Sequence, residues 1–138
     1  MSIQIVMMLP PEPASVSMAR HTLAEALRIV DVTPDCVHEA QVALSEACTN
    51  VFHHAASGEN FEVLIGIGDL DLTLHILDSG PGLPANGHSR ATWPDDTAEN
   101  GRGMALMNAF TDSASFDSQN GGGTVRLTKR LLRDPAVA

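Results

Sequence analysis

Two apolar runs separated by a short polar turn dominate the middle of the chain. The run "FEVLIGIG" (61–68) and the run "LDLTLHILD" (70–78) are joined through "GDLD", a composition typical of a hairpin turn. In the second run apolar and polar residues alternate, as they do on a strand that buries one face. We therefore predict two hairpin-linked strands, the second of which buries Leu70, Leu72, Leu74 and Ile76.

Asp78 continues the alternation of that buried face. A carboxylate there is unfavourable unless it is paired or hydrogen-bonded. Either the strand ends at Leu77 and Asp78 caps the turn, or Asp78 accepts a hydrogen bond from an amino group of a ligand. The sequence "DSGPG" follows at once, and Gly80 and Gly82 allow an unusual turn or the close approach of a flat ligand.

A long helix is predicted from Pro34 to about Ala56, with Thr33 as its N-cap. At about 100° per residue, apolar side chains share one face (Leu44, Ala47, Cys48, Val51, Phe52, Ala55) and polar ones the other (Ser45, Glu46, Thr49, Asn50, His53). The polar stripe is either the solvated back of the helix or a functional surface. It has no Lys or Arg, and Glu46 and Asn50 are close enough to share a hydrated Mg²⁺ or a proton transfer.

The remaining sequence predicts a strand at 2–9, a helix that starts near Pro13, and a long loop at 79–100. A short helix is predicted in "GRGMALMNAFTD", and a second hairpin pairs "SASFDS" with "TVRLTKRLL" across "QNGGG". The order βααββ–loop–αββ indicates an α+β fold in one domain (1–138). We expect a two-layer α/β sandwich with a mixed, mostly antiparallel sheet and helices on one face.

Composition excludes several classes of protein. The chain is 43% hydrophobic and carries a formal net charge of −9, so we expect a globular domain that binds neither nucleic acid nor membrane directly. The one basic run, "RLTKRLLR" (126–133), is interpreted as a solvated strand edge. Cys36 and Cys48 lie about 18 Å apart on one predicted helix, too far for a disulfide, and indicate a cytoplasmic protein with reduced thiols. Neither a signal peptide nor a membrane span is expected.

A second glycine motif, "NGRGMAL", places Gly101 and Gly103 at the start of the predicted short helix. Amide groups at a helix start bind anions, and glycines let a phosphate approach the backbone. A Rossmann site is excluded because no parallel βαβ unit surrounds the motif, and a P-loop because GK[ST] is absent.

The order of these motifs resembles the GHKL (Bergerat) ATP-binding fold of histidine kinases, gyrase-type ATPases and anti-sigma-factor serine kinases. In that resemblance "EACTN" (46–50) is the N box, "DSGPG" (78–82) the first glycine motif and "GRGMALM" (101–107) the second. Among the branches, the pattern is most similar to the RsbW/SpoIIAB-type anti-sigma-factor kinases.

The resemblance implies a role for each motif residue. Asn50 would ligate the Mg²⁺ that bridges the ATP phosphates, and Glu46 would act as general base on, or orient, a serine hydroxyl of a protein substrate. Asp78 would accept a hydrogen bond from the adenine amino group, and residues 79–100 would form the ATP lid. Gly80 and Gly82 would leave room for the adenine. Gly101 and Gly103 would bring backbone amides to the phosphates, and Arg102 would neutralise phosphate charge. Met104, the next residue, would belong to the same nucleotide-binding segment.

Two positions depart from the family pattern. His53 stands near where many members carry a basic residue, and a neutral imidazole holds phosphate less firmly than lysine does. In "GGGTVRL" the last motif can place either Thr124 or Gly123 at the position usually held by threonine.

The implied function is an ATP- and Mg²⁺-dependent serine protein kinase that sequesters a sigma factor. Its implied partners are that sigma factor and a STAS-domain anti-anti-sigma protein as phosphate acceptor, with homodimerisation as a family expectation. Three alternatives stay open: an ATP-binding interaction module of the same fold without kinase activity, a detached histidine-kinase-like catalytic domain, and an α+β domain with coincidental motifs.

Overall fold

The computed structural model describes residues 2–54, 60–78, 105–119 and 122–134. Two helices follow the first strand, and four further strands complete a five-stranded sheet. In chain order the elements are β1 (Ile3–Leu9), α1 (Pro13–Ile29), α2 (Pro34–His54), β2 (Phe61–Ile67), β3 (Asp71–Asp78), β4 (Ser113–Gln119) and β5 (Gly122–Arg130). Residues 105–110 are also helical and are called α3 here.

The sheet has the strand order β1-β2-β3-β5-β4, and α1 and α2 pack together over one of its faces. This arrangement confirms the predicted α+β sandwich and both hairpins, β2–β3 and β4–β5. Every pairing among the described strands is antiparallel, so the expected parallel component of the sheet is absent from this part of the chain.

One residue of the predicted buried face lies elsewhere. Leu72, Leu74 and Ile76 are buried as predicted, but Leu70 is 60% exposed. The reason is local: Gly68 N–H donates to the carbonyl of Asp71, which closes a turn that contains Leu70 before β3 begins. The alternation therefore starts two residues later than the sequence pattern suggested.

The basic run at the C-terminus is structural rather than a solvated strand edge. Its strand, β5, lies between β3 and β4 inside the sheet. Beyond the strand, Arg133 donates from Nε to the carbonyl of Val30 at 2.9 Å and from its terminal nitrogens to the carbonyls of Gly68 and Asp69. Arg133 thus joins the end of α1 to the β2–β3 turn, two segments that are far apart in sequence.

Replacing Arg133 with alanine is expected to lower the free energy of unfolding by about 1–2 kcal/mol, because the partly buried carbonyl of Val30 loses a charged donor. Urea denaturation followed by circular dichroism measures the change. Arg130→Ala removes an exposed guanidinium three residues earlier and serves as the control. Equal loss in both variants would mean that the Arg133 bonds add nothing to stability.

The second face of the sheet carries no helix in the described part of the chain. It exposes Val6 (63%) and Met8 (53%) on β1 and places His75 of β3 between Leu64 and Arg126 on the neighbouring strands. The Nε2 atom of His75 is buried and has no hydrogen-bond partner within the described ranges. Burial lowers the pKa of His75, and the charge of Arg126 adds to the shift, while Glu62 opposes it.

His75 is therefore expected to destabilise the protein in acid. Because its folded-state pKa lies below the unfolded value of about 6.5, the unfolded chain binds the proton more readily once the pH falls through that value. The free energy of unfolding should fall further between pH 7.5 and 5.5 for the native sequence than for His75→Gln, as measured by urea denaturation at both pH values. Identical pH profiles would contradict this assignment.

Candidate nucleotide-binding site

The orientation of α2 decides which polar residues meet at the sheet. Near its start, the Cys36 thiol contacts the carbonyl of Arg130 at 3.9 Å, and Glu39 contacts Lys129. From Cys36 to Asn50 the helix rises about 21 Å, and from Arg130 back to Gly123 strand β5 spans about 23 Å. Because α2 packs on both β3 and β5, Asn50 lies at the end of the sheet where β3 finishes and β5 begins.

Asn50 is only 6% exposed, although the helical wheel placed it on the polar side of α2. The apolar face predicted for α2 is confirmed in its described part, where Leu44, Ala47, Cys48 and Val51 are buried. Asn50 stands at the margin of that face, and its Nδ2 atom has no hydrogen-bond partner among the residues that the structure describes. A buried amide donor without a partner is unfavourable by about 1–3 kcal/mol, so the described part of the fold does not by itself account for this position.

Asp78 occupies the last position of β3 and is partly buried. It pairs with the buried Phe61 on β2, and the register on its other side places Gly123 of β5 level with it. Asp78 therefore continues the helix-covered face, as predicted, at the same end of the sheet as Asn50. Gly123 has no side chain, which leaves space beside the carboxylate.

Thr124 does not lie beside Asp78 on the helix-covered face of the sheet. It pairs with Leu77 and Asp117, on the face of the sheet opposite the helices. Strand alternation puts consecutive residues on opposite faces, so of the two positions that the sequence left open, Gly123 is the one beside Asp78. The assignment of Thr124 to nucleotide binding is not favoured by this register.

Glu46 lies one helical turn before Asn50 and is partly buried. It lines a cleft of about 230 Å³ on the outer side of the two helices, together with Arg20, His38, Gln41, Val42 and Ser45. The hydroxyls of Ser45 and Thr49 donate to backbone carbonyls of their own helix, at Gln41 and Ser45 respectively. Within the polar stripe, the hydroxyls of Ser45 and Thr49 are therefore used by hydrogen bonds to their own helix, and Glu46 and Asn50 are the candidates for binding a ligand.

Several predicted site residues lie outside the described residues. They are Gly80 and Gly82 of the first glycine motif and Gly101, Arg102, Gly103 and Met104 of the second. His53 belongs to the last turn of α2, but its side chain is not described. Of the predicted set, the structure brings Asn50 and Asp78 to one end of the sheet and Glu46 to the adjacent turn.

The residues present fit a Mg²⁺–nucleotide complex. Mg²⁺ is usually held by one or two protein oxygens together with phosphates and water, and a side-chain amide also offers an oxygen ligand. Asn50 would supply such an oxygen, and its Nδ2 atom, which has no partner in the described part of the chain, would be able to donate to a bound ligand. No cluster of three or more His, Cys, Asp or Glu side chains occurs among the described residues.

Comparison with known families decides the identity of the fold. The family profile of the histidine kinase-like ATPase domain matches residues 9–129, which is most of the chain. This protein belongs to the histidine kinase-like ATPase family. The match runs from the end of β1 to Lys129 of β5 and includes all three motifs on which the sequence resemblance was based.

Individual relatives agree with this membership. The chain is 31% identical over 137 residues to the serine-protein kinase RsbW of Bacillus velezensis, covering 92% of this chain and 85% of that protein. It is 29% identical over 140 residues to RsbW of Bacillus thuringiensis strain Al Hakam, covering 95% and 87%. The predicted likeness to RsbW-type proteins is therefore confirmed.

A solved structure shows the same fold. The RsbU and RsbW domains of Rv1364c from Mycobacterium tuberculosis match 96% of this chain with a TM-score of 0.71 and 20% sequence identity. This chain spans 33% of that longer one. Among the described residues of this family member, no helix is long and apolar enough to cross a membrane.

Sequence reasoning did not single out one buried cation, at the opposite end of β5 from Gly123. Lys129 was assigned to a solvated basic run, yet its side chain is 11% exposed and bonds both Glu39 of α2 and the end of α3. The strand alternation could have predicted this burial, because Lys129 lies on the same face of β5 as Val125 and Leu127, which are buried.

Proposed function

We propose that this protein is an ATP- and Mg²⁺-dependent serine protein kinase that also acts as an anti-sigma factor. The observation that carries the proposal is Asn50, a buried amide whose Nδ2 atom has no partner among the described residues, one helical turn from Glu46 and at the same sheet end as Asp78. The RsbW relatives, named as serine-protein kinases, support the type of acceptor.

The residues divide the chemistry between them. Asp78 accepts a hydrogen bond from the adenine amino group, and Asn50 would hold Mg²⁺, which would supply charge neutralisation at the phosphates. The amides and guanidinium of the second glycine motif (Gly101, Arg102, Gly103) bind the phosphates. Glu46 takes the proton from the hydroxyl of the acceptor serine while the serine oxygen attacks the γ-phosphorus of ATP. The bond to the bridging oxygen then breaks, and ADP leaves with that electron pair.

Partners and assembly follow from the same proposal. The acceptor is a STAS-domain anti-anti-sigma protein, and the sequestered protein is a sigma factor. The protein is cytoplasmic, which agrees with the free, buried Cys36 and Cys48. Burial raises the pKa of Cys48 to about 12, so this thiol is unreactive at neutral pH. Homodimerisation is supported by the exposed apolar side chains of Val6 and Met8 on the uncovered face of the sheet.

The decisive experiment mixes the purified protein with Mg·ATP and STAS-domain proteins encoded beside its gene. We expect the mass of one phosphoryl group to appear on a partner serine, in an acid-stable form. An acid-labile product would assign a histidine-kinase-like activity instead. Nucleotide-dependent capture of a partner without transfer would assign a binding module, and no nucleotide binding at all would refute the proposal.

A further inference from the structure

Lys129 is the only lysine in the 138-residue chain, and it is held between three elements. Its stem belongs to β5, its Nζ donates to Glu39 Oε1 on α2 at 2.7 Å, and the same Nζ donates to the carbonyl of Phe110 at 2.8 Å. Phe110 is the last residue of α3, so the ammonium group sits at the negative end of that helix.

Glu39 carries this contact to α2, the helix that also bears Glu46 and Asn50. On α2, Glu39, Glu46 and Asn50 are separated by seven and four residues, which places them on one stripe of the helix. The residues before α3, in turn, are the second glycine motif. The Lys129 side chain therefore links α2, which bears Glu46 and Asn50, to α3. The glycines predicted to bind phosphate come directly before α3 in the sequence.

Other contacts in the described part of the chain also hold α3 and the residues that follow it. Met107 is fully buried, and the Thr111 hydroxyl bonds the carbonyl of Met107 within the same helix turn. After α3, Asp112 N–H donates to the carbonyl of Thr128 at 2.8 Å. These bonds attach the chain after α3 to β5, and Lys129 joins the end of α3 to α2 through its bonds to Phe110 and Glu39.

We propose that Lys129 is a positioning residue for the nucleotide phosphates, acting through Glu39 and the end of α3. The proposal rests on the function proposed above, because it assumes that the glycines preceding α3 meet the phosphates. An exposed ion pair would contribute little, but the ammonium group is largely buried and bonds two elements at once. Partners that orient metal ligands typically change affinity about 10–100-fold, and the lower end of that range is the effect expected for Lys129.

The test compares Lys129→Met with a matched variant, Arg126→Met. The apolar stem of Lys129 lines a gap between α2 and β5 that is too narrow for water. Methionine has a stem of similar length, so it keeps this packing and removes only the charged group. Arg126→Met removes the same charge from the opposite face of the same strand. Dissociation constants are measured for Mg·ATP and for adenosine, which lacks phosphates, together with the free energy of unfolding in urea.

For Lys129→Met we expect Mg·ATP binding to weaken about tenfold or more while adenosine binding stays unchanged. Arg126→Met should change neither, and Lys129→Arg should recover affinity for Mg·ATP. Glu39→Gln, which leaves the lysine in place, should weaken Mg·ATP binding in the same direction. Unchanged Mg·ATP affinity in Lys129→Met, or equal losses for both ligands, would overturn the positioning role. A native protein that binds neither ligand would instead refute the proposed function.

Discussion

Glu46→Gln is expected to reduce phosphoryl transfer to the partner serine about 10²–10⁴-fold, the range for loss of a general base. Affinity for Mg·ATP should be unchanged, because the carboxylate acts on the acceptor hydroxyl and only in the transition state. Glutamine has nearly the same shape, so the partly buried position on α2 remains filled. Rates are measured as single turnovers with saturating partner, and affinity by isothermal titration calorimetry.

The matched control for this substitution is Glu25→Gln on α1. Glu25 is exposed and pairs with Arg28 one turn later, so the variant makes the same change in net charge far from the proposed site. It should transfer phosphate at the native rate. If Glu46→Gln also kept the native rate, Glu46 would not be the base, and the serine would have to lose its proton elsewhere.

Asn50→Leu is expected to have opposite effects on binding and stability. Loss of the metal-ligand oxygen should weaken Mg·ATP binding by at least about 100-fold, since even outer-shell partners contribute about 10–100-fold. The nucleotide-free protein should become more stable by about 1–3 kcal/mol, because the substitution removes a buried donor that has no partner among the described residues. Calorimetric titration and urea denaturation without nucleotide measure the two effects.

Thr49→Val is the control for this prediction. Thr49 is the preceding residue on α2, and its hydroxyl already donates to the carbonyl of Ser45 at 3.0 Å. Its replacement should therefore bring no comparable gain in stability and no loss of Mg·ATP affinity. Loss of stability in Asn50→Leu together with native nucleotide binding would show that Asn50 serves the core rather than the ligand.

The elements of the fold could be predicted because their signals are local. Alternating residues defined β3, and Thr33 followed by Pro34 defined the start of α2, where the Thr33 hydroxyl accepts the amide of Cys36 at 3.3 Å. The start of β3 was placed too early, since the turn that exposes Leu70 depends on the bond between Gly68 and Asp71. Such turn geometry is not contained in hydrophobic periodicity.

The amino-acid sequence by itself determined the motif residues Glu46, Asn50 and Asp78, their order, and the helix and strand that carry them. The tertiary structure decided their burial and their neighbours. It showed that Asn50 is enclosed, that Gly123 rather than Thr124 stands beside Asp78, and that Lys129 faces inward. The physical reason is that periodicity fixes a residue's position within its own element. Burial and pairing depend on which elements pack against it, and that packing is set by contacts distant in sequence.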